Sequence, residues 1–310
     1  MSILITGIGL IGRPPIVRIP EGQFTYLGDR EGSYTLSRSA DFMVTFQSVM
    51  IGFQLGVATW ACISQDGKYV LISYKYGPNY GTGALLLSTD GGLSFTPIID
   101  TTYSWNSCAM SNSGKYMYAT DANYSFFYSS NYGATWNRLD YFATWVSCDG
   151  SGLKVLVSNS NNAARYSLNG FSSYADVGIQ WYAGSCTAVS NDGSTWYVAV
   201  PYIGLYKSEN NWASYYDCIG AYGYMTGLSA NGNSGMFVTI DGPCTYYFDN
   251  ASGSWNFWSA DRLRVFPSGR GNFIVATDRY YSNLYISVNG GASWTYKYAF
   301  GAGCTNRGDV

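Results

Sequence analysis

The chain has 310 residues, 47% hydrophobic and only 12% charged, against a typical charged share of roughly 25%. Its net charge of −2 and pI near 5.1 give no basic footprint for nucleic acid or an anionic membrane, which leaves proteins and neutral glycans as the expected partners. There is no His, no Cys pair at metal-ligand spacing and no run near the roughly 20 apolar residues of a membrane span, so neither a cofactor, a metal nor membrane insertion is expected.

In chain order, the first element is an apolar, glycine-jointed segment, residues 1–13. Its Gly7-x-Gly9-x-x-Gly12 run formally matches the dinucleotide fingerprint, with Asp29 near the place of a ribose-binding acid. That fingerprint needs a helix to begin at the glycines, and Pro14-Pro15 with the β-branched run after it cannot supply one. An extended arm is expected instead, pairing with a sheet edge of this protein or of a neighbouring structural protein. The segment lacks a cationic n-region and a small-residue cleavage signature, so no signal peptide is expected and the chain is read as made in a reducing cytoplasm.

From residue 14 to 310 one pattern recurs seven times at intervals of 38 to 49 residues: Ser39-x-Asp41, Ser88-x-Asp90, Ser129-x-Asn131, Ser167-x-Asn169, Ser208-x-Asn210, Phe248-x-Asn250 and Ser287-x-Asn289. Each is followed four residues after the Asp or Asn by Ser or Thr and then an aromatic. Upstream of each copy, in phase with it, a glycine precedes a β-rich run, as in Gly67-KYVLI and Gly114-KYMYA. Each repeat parses as four antiparallel strands, with a glycine turn after the first and the Ser-x-Asp turn before the last. Such a sheet cannot bury both faces alone. The expected fold is an all-β, seven-bladed β-propeller of four-stranded antiparallel blades, residues 14–310, with a six-bladed ring lacking 14–56 as the alternative.

These turns resemble the Asp-box, or BNR, repeat of sialidases, xyloglucan-degrading glycosidases, sortilin-type receptors and a photosystem assembly factor. The resemblance covers nearly the whole chain and places the box on the rim away from the family's usual active site. The box residues Asp41, Asp90, Asn131, Asn169, Asn210, Asn250 and Asn289 are read as structural, since side-chain oxygens can satisfy turn amides. Five of the seven are Asn, so an uncharged acceptor must suffice.

The resemblance raises a sialidase reading through Arg18-Ile19-Pro20, but the repeat alignment puts Ile19-Pro20 in a hairpin turn, and only Glu21, Glu31 and Glu209 exist in the chain. Another glycosidase would need two carboxyls across a cleft. Asp29, Asp121, Asp241 and Asp278 each close a predicted second strand, and recurrence in four repeats points to loop capping; no residue is assigned as catalytic. Large aromatics recur on the face opposite the boxes, and Trp60, Trp105, Trp145, Trp181, Tyr182, Tyr222 and Tyr224, joined by Arg262 and Arg264, form the candidate binding face. The loop from Lys75 to Gly83 overhangs it. Of the seven cysteines, Cys62, Cys108, Cys148 and Cys186 recur near predicted first strands and read as small buried hydrophobes. Arg307-Gly308-Asp309 reads as a chance tripeptide, and Asn123 and Asn250 are glycosylation acceptors only in a secreted chain.

The function expected is a non-catalytic structural and interaction propeller, similar in composition to bacteriophage virion proteins of tail or capsid surface. Residues 1–13 would anchor it to other structural proteins, and the aromatic face would meet a cell-surface glycan or receptor. A sialidase-like Asp-box glycoside hydrolase and a protein-binding assembly factor are the alternatives.

Overall fold

The computed structural model describes residues 4–7, 24–28, 35–39, 47–50 and 57–75, most of 83–220, and strand segments between 225 and 298. Among them every regular element is a strand. The first sheet comprises Leu4–Gly7 (β1), Phe24–Gly28 (β2), Thr35–Ser39 (β3) and Gln47–Met50 (β4). The second comprises Val57–Ile63 (β5), Val70–Lys75 (β6), Ala84–Ser88 (β7) and Thr96–Ile99 (β8). The third has Trp105–Met110 (β9), Met117–Asp121 (β10), Phe126–Ser129 (β11) and Asn137–Leu139 (β12). The fourth has Ala143–Cys148 (β13), Val155–Asn159 (β14), Arg165–Ser167 (β15) and Ala175–Asp176 (β16). In the fifth lie Cys186–Val189 (β17), Trp196–Val200 (β18), Gly204–Ser208 (β19) and Tyr216–Gly220 (β20). Met225–Asn231 (β21), Gly235–Ile240 (β22), Cys244–Asp249 (β23) and Ser254–Ser259 (β24) make the sixth. Leu263–Pro267 (β25), Ile274–Asp278 (β26), Asn283–Ser287 (β27) and Thr295–Tyr298 (β28) make the seventh.

Every sheet is four-stranded, with its strands hydrogen-bonded in chain order. Residues 4–7, inside the expected arm, are β1 and pair antiparallel with β2, Leu4 opposite Leu27 and Gly7 opposite Phe24. That pairing is with a sheet of the protein's own chain. The first strands of consecutive sheets touch one another from β1 through to β25, and β1 touches β25 as well as β5.

Packing between sheets explains a pattern that alternation alone would miss. β7, β10 and β18 are buried at every residue, and in a strand covered on both faces successive side chains serve two different cores. Val70, Ile72 and Tyr74 of β6 pack with Val49 of the first sheet. Leu71, from the other face of β6, joins Leu85 and Leu87 against Trp105, Met117 and Phe127 of the third. Tyr118 and Phe126 of the third sheet meet Val155, Val157 and Phe171 of the fourth, whose Leu156 in turn meets Trp196 and Val198 of the fifth. Among the described residues, the outermost strands β12 and β16 open most to solvent.

The recurring turns are built from their own side chains. Ser88, Ser129, Ser167, Ser208 and Ser287 donate from Oγ to Oδ1 of the Asp or Asn two residues on, at 2.7–3.1 Å. The same Oδ1 accepts the backbone N–H of Ser94, Thr135, Ser173, Ser214 or Ser293 at 2.9–3.0 Å. Asn also donates from Nδ2 to the hydroxyl of the residue four on, at 2.7–2.8 Å. In the Asp90 turn that bond runs the other way, from Ser94 Oγ to Oδ2. Either side chain therefore completes the turn, as the Asn-for-Asp substitutions require. The turns at Asp41 and Asn250 lie outside the described residues.

Two residues in each of four described turns adopt left-handed backbone, the second being Gly92 (φ 74°), Gly133 (79°), Phe171 (69°) and Trp212 (64°). A side chain is unfavourable there, and a bulky one is rare. At Gly133 an added Cβ would lie 2.6 Å from Leu87 Cδ2. Phe171 and Trp212 bear the strain because their rings are buried in the inter-sheet cores. The closing aromatic answers accordingly. After a glycine it turns inward, as Phe95 does at 7% exposure; after Phe171 or Trp212 it is Tyr174 or Tyr215, stacked or tilted on that ring and exposed.

Candidate functional site

Of the aromatics of the expected face, Trp60, Trp105 and Trp145 lie among the described residues, and they differ in exposure. Trp60, Trp105 and Trp145 all lie on first strands, where a one-residue bulge interrupts the pairing with the second strand. Trp60 and Trp145 follow their bulge and are half-buried; Trp105 precedes it. A bulge reverses the face of what comes before it. Trp105 is consequently a core residue at 0% exposure, its ring 4.9 Å from Phe127, which removes it from any contact surface. Ser107, a small residue, takes the place in β9 that Trp60 and Trp145 hold in β5 and β13. The two indoles meet edge to face with centroids 4.6 Å apart. Trp181, Tyr182, Tyr222, Tyr224 and Arg262 lie outside the described residues; Arg264 is in β25.

Of the recurrent acids, Asp121 ends β10 and is wholly buried. Its Oδ1 accepts the Ser125 N–H at 2.6 Å, capping the loop between β10 and β11. Burial pushes its carboxyl up, and the bonds from Ser125 and the charge of Arg138 pull the other way without prevailing. Asp278 ends β26, and Asp29 and Asp241 lie outside the described residues. Glu209 sits in a turn with Oε1 2.7 Å from the buried Lys207 Nζ.

The glycine turns and the Ser-x-Asp or Asn turns share the other end of the sheets. Within a sheet the two kinds of turn are joined by backbone bonds, Gly91 N–H to Lys68 O, Tyr132 N–H to Lys115 O and Gly170 N–H to Leu153 O, at 2.9–3.0 Å. Between sheets the glycine turns are joined in series: Gln65 N–H to Asn112 O, Asn112 N–H to Gly150 O, and Gly150 N–H to Asn191 O, at 2.7–2.8 Å. These links brace the described turns of the second to fifth sheets into one continuous surface. Six of the eight large hydrophobic side chains exposed among the described residues stand on it: Leu93, Tyr132, Leu153, Leu168, Tyr174 and Tyr215, 38–55% exposed. Tyr132 stacks on Tyr69 of the neighbouring sheet at 5.2 Å, and Arg165 lies 4.6 Å over the Tyr174 ring. Tyr174 and Tyr215 were the available sequence signal, because each follows an aromatic where the turn calls for glycine.

An open cavity of about 460 Å³ lies at the rim between the second and third sheets, lined by Ile98, Phe127, Gly133, Thr135, Trp136 and Arg138. Trp136 Nε1 donates to Gly133 O at 3.1 Å, and Arg138 Cζ is 5.9 Å from the Phe127 ring. No group of three or more metal-ligating side chains occurs among the described residues.

The sequence matches no protein-family model and no curated protein. Solved structures do resemble the fold. YCF48 bound to D1 peptide superposes with a TM-score of 0.57 at 13% identity, over 81% of this chain and 85% of that one. The C-terminal WD40 domain of Sif2 gives 0.61 at 10% identity, over 85% and 77%. The GH74 xyloglucanase from Xanthomonas campestris gives 0.51 at 16% identity over 89% of this chain but 44% of its own. At such identities the likeness concerns fold alone, and the fold is a β-propeller.

Proposed function

We propose that the chain is a seven-bladed propeller of the Asp-box type that works as a non-catalytic protein-interaction module, docking its partner on the turn end. The ring of first-strand contacts closing from β25 to β1 supports seven blades. The Ser, Asp or Asn, and Ser or Thr bonding of five turns supports the Asp-box assignment. One observation carries the function: six exposed Leu and Tyr side chains gathered on a hydrogen-bonded, pre-organised end. Tyr in particular offers a rigid apolar face and a polar tip, the combination favoured at protein contacts. A braced backbone also lowers the ordering cost of binding.

The test is to size the protein in its natural source and to cross-link it there through Lys68 and Lys115, which flank Tyr69 and Tyr116 on this end. Cross-links from these lysines to one protein in a stoichiometric complex are the expected result. If that complex is a virus or phage particle, it supports the virion role expected from the likeness to bacteriophage virion proteins. A free monomer without such cross-links overturns the proposal.

A further inference from the structure

Four cysteines stand on the first strands of four consecutive sheets: Cys62 on β5, Cys108 on β9, Cys148 on β13 and Cys186 on β17. The register sets them at different heights along their strands, so they do not form an even ring. Cys62 is paired with Leu71, Cys108 with Ala119, Cys148 with Val155 and Cys186 with Ala199. The offset between β5 and β9 brings one pair together. Cys62 Sγ lies 3.6 Å from Cys108 Sγ and donates its S–H to it, and Cys108 in turn donates to Leu71 O at 3.6 Å. Both thiols are reduced; Cys62 is half-buried and Cys108 buried.

The geometry points to Cys62 and Cys108 as an oxidisable pair, a modification site at which a disulfide staples the second sheet to the third. The sulfurs need to close only from 3.6 Å to a bond of about 2.05 Å. The strands that carry them are already in contact. The oxidant required is a disulfide of the glutathione class or a disulfide-bearing oxidoreductase. Cys62, the more open thiol, reacts first: its thiolate attacks one sulfur of the acceptor and expels the other as a thiolate. Cys108 Sγ then attacks Cys62 Sγ and expels the remaining acceptor sulfur. The two cysteines lose two protons and two electrons, and the acceptor disulfide becomes two thiols. Burial pushes the Cys62 thiol up, so the exchange is slow at neutral pH and quickens as pH rises.

The staple would close a loop between residues 46 apart in sequence, which restricts the unfolded chain far more than the folded one. It would also fix the strand that carries Trp60, whose ring braces Trp145 two sheets away.

The experiment takes the full chain, prepared reduced, and incubates it with glutathione disulfide at neutral and mildly alkaline pH. Peptide mapping without reduction should find Cys62 linked to Cys108, with two thiols fewer on denaturation. The oxidised protein should unfold roughly 5 °C higher, a gain that dithiothreitol reverses. Cys62→Ser and Cys62→Ala should each abolish link and gain, while Cys148→Ala keeps both, so a folding defect in one variant does not decide the matter. Linkage of Cys108 to Cys148, a persistent glutathione adduct at Cys62, or an unchanged thiol count after prolonged oxidation would each overturn the assignment.

Discussion

At the scale of the residue, the Asp and Asn turns show why charge is dispensable in them. Burial raises the Asp90 carboxyl, but bonds from Ser94, Ser88 and the Leu93 amide outweigh it and hold it down at about 2. An unfolded Asp titrates near 3.9, so Asp90 contributes stability that is present above that value and lost as pH falls through its folded value. Asp90→Asn should leave the unfolding midpoint at neutral pH unchanged and flatten its fall between pH about 4 and about 2, as followed by thermal melts across that range. Asp121 works in the opposite sense. Burial raises its folded pKa, so its favourable contribution belongs to low pH and is lost as pH rises through the folded value. Asp121→Asn, which keeps the oxygen that accepts from Ser125, should be at least as stable as the parent at pH 7. Asp121→Ala should cost about 1 kcal/mol in urea titrations, through loss of the cap. Phe171, strained but buried, is a residue the fold depends on: Phe171→Ala should cost about 3 kcal/mol. Gly133→Ala, with its Cβ 2.6 Å from Leu87 at φ 79°, should also destabilise, by about 1–3 kcal/mol.

At the scale of the element, adjoining sheets are fastened by single side chains as well as by apolar packing. Tyr118 on β10 donates its hydroxyl to Gly152 O in the turn of the fourth sheet, at 2.6 Å, both groups buried. Tyr118→Phe should lower stability by about 1 kcal/mol, measured by denaturant unfolding, because the Gly152 carbonyl loses its donor. Turns and strands were legible in the sequence for a local reason: Ser-x-Asp or Asn with its closing hydroxyl is a self-contained hydrogen-bonding unit, and the glycines of the other turn take positive φ, as Gly67 and Gly114 do. The strand faces were less legible. The bulges at Thr59, Asn106 and Thr144 shift the register within β5, β9 and β13, and their sequence gives no sign of where the extra residue falls. Sequence alone therefore groups Trp105 with Trp60 and Trp145, whereas the structure separates a core residue from a pair in mutual contact. The turn end is not legible in the repeat itself, because its pattern is accounted for by the turn's own bonding, and Tyr174 and Tyr215 face outward only because Phe171 and Trp212 take the inward place.

At the scale of the whole molecule, the two ends divide the work. Glycine turns linked in series by backbone bonds from Gln65 to Asn191 brace one end, and apolar side chains stand exposed on it. At the other end Trp60 and Trp145 hold each other, and Asp121 is spent on a loop cap. With 12% charged residues, the chain has little long-range electrostatic steering, so the docking we propose would rest on contact between apolar and hydroxyl-bearing surfaces. The most direct measurement is therefore retention of the native partner by two variants matched in stability. Replacing Leu153, Leu168 and Tyr174 together by Ser on the turn end should weaken retention at least about tenfold, some 1.4 kcal/mol. Tyr124→Ser, in the loop after β10 at the far end, should leave it unchanged. Loss on Tyr124→Ser with full retention by the triple variant would contradict the account and move the docking surface to the opposite end.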